Sequence, residues 1–169
     1  MSMAYVKKIC LFGGAGFIGR SIVKLLAKRG FEVKIATRSP FNEDLLELKS
    51  TVSDPGQIII EKINIHSNVQ VRDFIKDCEI CINLVGILYE KGSNTFKKVH
   101  TDFVNNLTLA VKEEESIKHF IHFSSLGVKS DTESKYLESK YQAEEIIKKN
   151  FKNYTIIKPS IVYGGGQKD

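Results

Sequence analysis

Tyr136 and Lys140 stand four residues apart in Tyr136-Leu137-Glu138-Ser139-Lys140, the spacing that puts two side chains on one face of a helix. A phenol with its ordinary pKa of about 10 is a poor acid or base at neutral pH, but an adjacent ammonium stabilises phenolate and brings it toward a useful range. A hydroxyl from Ser125, in Phe123-Ser124-Ser125-Leu126-Gly127, could then hold a substrate carbonyl. Taken alone the spacing is common, and it equally fits a tyrosine packed on a sheet beside a solvated lysine.

A glycine cluster supplies a second chemistry. Phe12-Gly13-Gly14-Ala15-Gly16-Phe17-Ile18-Gly19 carries Gly14-x-Gly16-x-x-Gly19 and also Gly13-x-x-Gly16-x-x-Gly19, where an apolar strand gives way to a helical pattern. Missing side chains at Gly13 and Gly16 let the backbone turn tightly and approach a pyrophosphate, and Gly19 lets helix pack on strand. The helix N-terminus adds unpaired N–H groups and a positive dipole, so the pattern predicts a dinucleotide site. At the end of the second strand, where an acidic residue would accept from the ribose 2′-hydroxyl of NAD, the chain has Thr37-Arg38-Ser39. A guanidinium with no carboxylate beside it suits the 2′-phosphate of NADP, with Thr37 and Ser39 as hydroxyl partners; NADP(H) is therefore favoured over NAD(H).

Other residues with metal, redox or polyanion chemistry form no comparable pattern. Cys78-Glu79-Ile80-Cys81 is a CxxC, but no second Cys or His pair at metal spacing accompanies it, and residues 80–84 read as a strand rather than as the helix start of a redox motif. With Cys10 these read as buried thiols. His66, His100, His119 and His122 are scattered without metal-ligand spacing, and no metal site is expected. Net charge is +5, yet 21 of the 25 basic residues are lysines interleaved with Asp and Glu, a solvated surface rather than a nucleic-acid footprint. Apolar residues at 42% and charged residues at 27% exclude disordered, collagenous and coiled-coil classes. No run approaches the ~18 uncharged apolar residues of a membrane span, and the first residues carry no h-region or cleavage site, so a cytosol-like compartment is expected.

Strict alternation supplies the elements that position these residues. Strands are expected at 6–12, 32–37, 57–63, 79–85, 118–123 and 154–157, and helices from about 18 to 29, then at 40–49, 69–76, 96–115 and 134–149. Ser53-Asp54-Pro55-Gly56 is a turn signal, and 79–85 is the nearly continuous apolar run of a parallel strand buried on both faces. Six strands alternating with helices imply right-handed crossovers and an α/β fold with a doubly wound parallel sheet.

Taken together, these stretches resemble the short-chain dehydrogenase/reductase superfamily, in its atypical, NAD-dependent epimerase/dehydratase-like branch. The resemblance is closest to the group of the NADPH-binding 39 kDa accessory subunit of respiratory complex I and its bacterial relatives. It rests on the glycine loop, on Ile82-Asn83-Leu84-Val85-Gly86-Ile87-Leu88-Tyr89-Glu90, on Phe96-Lys97-Lys98-Val99-His100 and on Lys158-Pro159-Ser160-Ile161-Val162-Tyr163-Gly164. It implies a Rossmann fold in which Gly13, Gly16, Phe17, Ile18 and Gly19 hold the pyrophosphate and Arg38 the adenosine 2′-phosphate. Asn64 and Ile65 would flank the adenine, Leu84, Val85 and Gly86 the central ribose, and Lys140 the nicotinamide ribose. Pro159 and Ser160 would lie against the nicotinamide. Tyr136 and Ser125 match the catalytic tyrosine and serine positions, though only eleven residues separate them, fewer than in the extended epimerases.

Two functions follow from the resemblance. One is a nucleotide-binding accessory protein of a respiratory NADH:ubiquinone oxidoreductase, with complex I subunits as partners, in the cytoplasm or a mitochondrial-matrix-like compartment or peripheral at the inner membrane. The alternative is a working NAD(P)-dependent reductase, epimerase or dehydratase using Tyr136 and Lys140. The 169 residues read as one NAD(P)-binding domain spanning 1–169. Members of the group continue past this point into a substrate cap. The chain is accordingly expected to be the nucleotide-binding part of a longer protein, whether truncated, excised or split.

Overall fold

Alternate residues of the first strand face opposite ways, and after Lys8 all are apolar or sulfur-bearing, so both of its faces must be buried. The structure is a computed structural model, which describes residues 7–41, 43–50 and 57–164. The turn expected at Ser53-Asp54-Pro55-Gly56 lies outside the described residues, as do positions 1–6 and 165–169.

The described elements run β1 (Lys8–Phe12), α1 (Phe17–Lys28), β2 (Glu32–Thr37), α2 (Glu43–Ser50), β3 (Ile58–Lys62), α3 (Asn68–Ile75) and β4 (Ile80–Asn83). A π turn (Lys97–Asp102), α4 (Phe103–Glu113), β5 (His119–Phe123), α5 (Lys135–Asn150) and β6 (Tyr154–Ile157) follow. The six strands form one parallel sheet in the order β3-β2-β1-β4-β5-β6. The doubly wound α/β fold expected from the alternation is the fold observed.

Ile9 and Leu11 of β1 face α1 and α2, where Val23, Ala27, Leu45 and Leu48 close one core. Cys10 and Phe12 face α3, α4 and α5, against Phe74, Phe103, Leu107 and Ile147. Phe12 meets Phe74 and Phe103 edge to face, with ring centroids 5.0 and 5.4 Å apart, a favoured aromatic geometry. Cys10, Cys78 and Cys81 are free and buried, as the reading of plain thiols anticipated.

Two elements differ from their expected form. The helix expected over 96–115 opens as a π turn and becomes regular only at Phe103. The strand expected over 79–85 ends at Asn83, because the Asn83 side chain accepts from the Val85 N–H (3.0 Å) and draws the chain out of the ladder. That early exit opens the crevice described next.

Candidate functional site

Strand order reverses between β1 and β4, and open α/β sheets bind ligands at such a switch point, beyond the carboxyl ends of the strands. Here the chain leaves β1 into the glycine turn. Gly13 sits at φ +83°, and Gly16 N–H donates to Gly13 O at 3.1 Å. A Cβ on Gly19 would lie against Gly13 O and 2.6 Å from Gly14 Cα, so only glycine lets α1 start this close to the loop. Gly16 caps α1 in extended conformation with no side-chain cap, and the first turn holds no acidic residue. The first N–H groups and the positive end of the dipole are left for an anion.

A cleft of about 1020 Å³ extends from this turn. It is lined by Gly13, Gly16, Phe17, Ile18 and Gly19 of the glycine turn and α1, by Leu84 and Gly86 after β4, by Ser125, Pro159 and Ser160 after β5 and β6, and by Tyr136 and Lys140 of α5. Ser125 and Tyr136 thus share one cavity despite their short separation in sequence. The structure places four expected residues elsewhere than in this lining. Arg38 is exposed just beyond β2, and Asn64 is exposed just past β3, its Oδ1 accepting from His66 N–H at 3.0 Å. Ile65 is half-buried against the α3–α4 core. Val85, also half-buried, packs against the same core and gives its N–H to Asn83.

Residues not anticipated complete the lining. Ile87, Leu88, Leu126, Ile161 and Val162, which lie within the motif stretches after β4, β5 and β6 but carry no role of their own there, add apolar walls. The loops after β5 and β6 run side by side, with Ser124 N–H donating to Ile157 O (2.8 Å) and Leu126 N–H to Pro159 O (2.9 Å). Glu144, 1% exposed, ties them to α5: it accepts from Ser124 Oγ at 2.6 Å and pairs with Lys158 Nζ at 2.8 Å. Read in sequence, Glu144 is one more charge among lysines.

Lys140 is 5% exposed and donates to Phe123 O at 3.3 Å. Burial lowers its pKa to about 8, against the pull of the Glu144 carboxylate. Two buried histidines lie nearby. Burial, with the Lys140 charge second, brings both His100 and His122 down to about 3, so both rings are neutral. The Asn83 carbonyl is committed to Val85, so its Nδ2 donates to His122 Nδ1 (3.1 Å) and the His122 proton sits on Nε2. That Nε2 has no hydrogen-bond partner among the described residues. Tyr136 packs edge to face on His100 and Phe96, with centroids 5.4 and 5.6 Å away. A phenol, a buried amine and a hydroxyl converging on one cleft can move a proton at a carbonyl or hydroxyl carbon.

A parallel sheet of this order, with a glycine turn feeding an uncapped helix at its switch point, defines a Rossmann dinucleotide-binding protein. The chain belongs to the NAD(P)H-binding family, whose sequence model matches residues 13–169. It is similar to the mitochondrial NADH-ubiquinone oxidoreductase 40 kDa subunit of Neurospora crassa, 25% identical over 154 residues that cover 91% of this chain and 40% of that protein. It is also similar to the mitochondrial NADH dehydrogenase [ubiquinone] 1 alpha subcomplex subunit 9 of Arabidopsis thaliana, 29% identical over 91% of this chain and 38% of the other. The chain thus spans about two fifths of these relatives' length. Among solved structures, UDP-glucuronic acid 4-epimerase from Bacillus cereus in complex with NAD matches with a TM-score of 0.75 at 22% identity, over 95% of this chain and 59% of that one. A putative NAD-dependent epimerase/dehydratase from Bacillus halodurans gives 0.73 at 20%, over 91% and 70%. These structural likenesses show the fold. Among the described residues, no helix is long and apolar enough to cross a membrane.

Proposed function

We propose that this chain holds NADP(H), in preference to NAD(H), as the nucleotide-binding domain of a longer accessory subunit of a respiratory NADH:ubiquinone oxidoreductase, with a structural or assembly role. The carrying observation is the switch-point cleft, which the uncapped start of α1 and buried Lys140 both line. Gly13, Gly16, Phe17, Ile18 and Gly19 would hold the pyrophosphate, Arg38 the 2′-phosphate, and Asn64 and Ile65 the adenine. Leu84, Val85 and Gly86 would border the central ribose, Lys140 the nicotinamide ribose, and Pro159 and Ser160 the nicotinamide. The likeness to mitochondrial subunits of that oxidoreductase supports its subunits as partners, with the chain in the cytoplasm or a matrix-like compartment, or peripheral at the inner membrane through that complex.

One observation favours a second reading, a working reductase, epimerase or dehydratase: Ser125, Tyr136 and Lys140 line the same cleft. A bound nicotinamide would supply hydride chemistry there. Ser125 would hold the substrate oxygen, Tyr136 would move its proton, and Lys140 would supply positive charge beside the phenol.

Titration by nucleotide fluorescence tests the first reading. NADPH is expected to saturate at lower concentration than NADH, and Arg38→Ala should weaken NADPH by about tenfold while leaving NADH unchanged, as for the loss of one charge-assisted contact. Equal affinity for both nucleotides, in parent and variant alike, removes the argument for NADP(H). Co-purification with respiratory-chain subunits separates the two functions, as does turnover that disappears in Tyr136→Phe.

A further inference from the structure

The π turn ahead of α4 places one buried residue, His100, between two walls of the cleft. Its Nε2 accepts from the N–H of Ile87 at 3.0 Å, in the loop after β4. An acceptor nitrogen carries no hydrogen, so the proton of the neutral ring is on Nδ1. Nδ1 lies 2.9 Å from Ser139 Oγ, and the Ser139 hydroxyl donates in turn to Tyr136 O at 2.7 Å. Every donor in this chain of three bonds has one available acceptor, which fixes all the directions. The two walls so joined come from segments that share no strand or helix: the β4 exit loop and the α5 turn bearing Tyr136 and Lys140.

Packing reinforces the same join. The ring stacks on Phe96 (5.5 Å) and meets Tyr136 edge to face. Beside it, a Cβ added to Gly86 would lie 3.6 Å from His100 Nε2 and 3.2 Å from Lys140 Nζ, so the loop backbone passes close to both side chains. π turns insert an extra residue into a helix and recur at functional sites. Burial and the Lys140 ammonium both oppose a proton on Nε2, and such a proton would break the bond to Ile87.

We propose that His100 is a positioning residue: as the neutral Nδ1–H tautomer it clamps the loop after β4 to the Tyr136–Lys140 turn, setting the nicotinamide end of the cleft before any ligand enters. That this end receives nicotinamide rests on the proposed function; the clamp itself does not.

The experiment has two arms. In the first, 15N-histidine NMR of the ligand-free chain is expected to show one neutral ring with Nδ1 protonated and Nε2 bare, unchanged between pH 8 and pH 5 and lost in His100→Gln. An Nε2–H tautomer, or titration of that ring near the ordinary value of 6.5, overturns the clamp. In the second, His100→Leu and His100→Gln are titrated with NADPH and with 2′,5′-ADP, which lacks the nicotinamide half. Leaving the Ile87 N–H unpartnered should cost His100→Leu roughly tenfold in NADPH affinity with 2′,5′-ADP unchanged, and His100→Gln, which restores an acceptor, should recover most of it. Undiminished NADPH binding by His100→Leu, or equal losses for both ligands, overturns the positioning role. A parent chain that binds neither ligand instead defeats the dinucleotide reading, and the tautomer still decides the clamp.

Discussion

Lys140 is a lysine whose charge the fold opposes, and that has a measurable sign. Its amine releases its proton at about 8 in the folded chain, against an ordinary value of 10.5. Between these two pH values the unfolded chain binds more protons than the folded one, so raising the pH through this window stabilises the fold; below 8 the burial cost is fully felt. Lys140→Met should therefore be more stable than the parent at pH 7, by about 1–3 kcal/mol, and the advantage should fade as urea denaturation is repeated toward pH 10.5. A constant difference across that range would show that the amine is not held below its ordinary pKa. Tyr136 and Lys140 were legible in the sequence because their chemistry depends on a spacing within one helix. His100 and Glu144 were not, since each acquires its partners across the fold: Ile87 and Ser139 for one, Ser124 and Lys158 for the other.

At the scale of elements, β2 and β6 stand where their apolar alternation placed them, while β4 stops short and α4 opens irregularly. The early end of β4 has a visible origin, a polar side chain competing with the backbone ladder. Asn83 captures the Val85 N–H with its carbonyl and His122 with its amide, something no propensity encodes. Asn83→Ala would leave the Val85 N–H and the His122 ring without these partners in a buried layer. A loss of about 2–4 kcal/mol is expected in urea denaturation, roughly twice the cost of one unsatisfied buried group. A loss below about 1 kcal/mol would mean that the β4 exit is held by other contacts.

For the whole molecule, the alternation of strand and helix made the doubly wound class readable, but the strand order was not, because no local pattern marks where the sheet reverses. The order has an energetic signature. β1 has a hydrogen-bonded neighbour on each side, β2 and β4, whereas β3 and β6 at the ends of the order each have one. Native-state hydrogen exchange should find β1 amides opening only with global unfolding, and β6 amides at a lower free energy. Equal protection of β1 and β6 would contradict a sheet whose edges open first.

The position of β1 also imposes a timetable on biosynthesis. Its pairing with β2 joins Lys8 to Glu32, but its other edge waits for β4, where Ile9 meets Ile80. At synthesis rates of about 5–20 residues per second, the nascent sheet keeps an unpaired apolar edge for several seconds after β2 has emerged. Such an edge is a template for another strand. Overproduction should therefore lose this chain to inclusion bodies while it is still being made, and slower translation or a co-expressed chaperone should recover it.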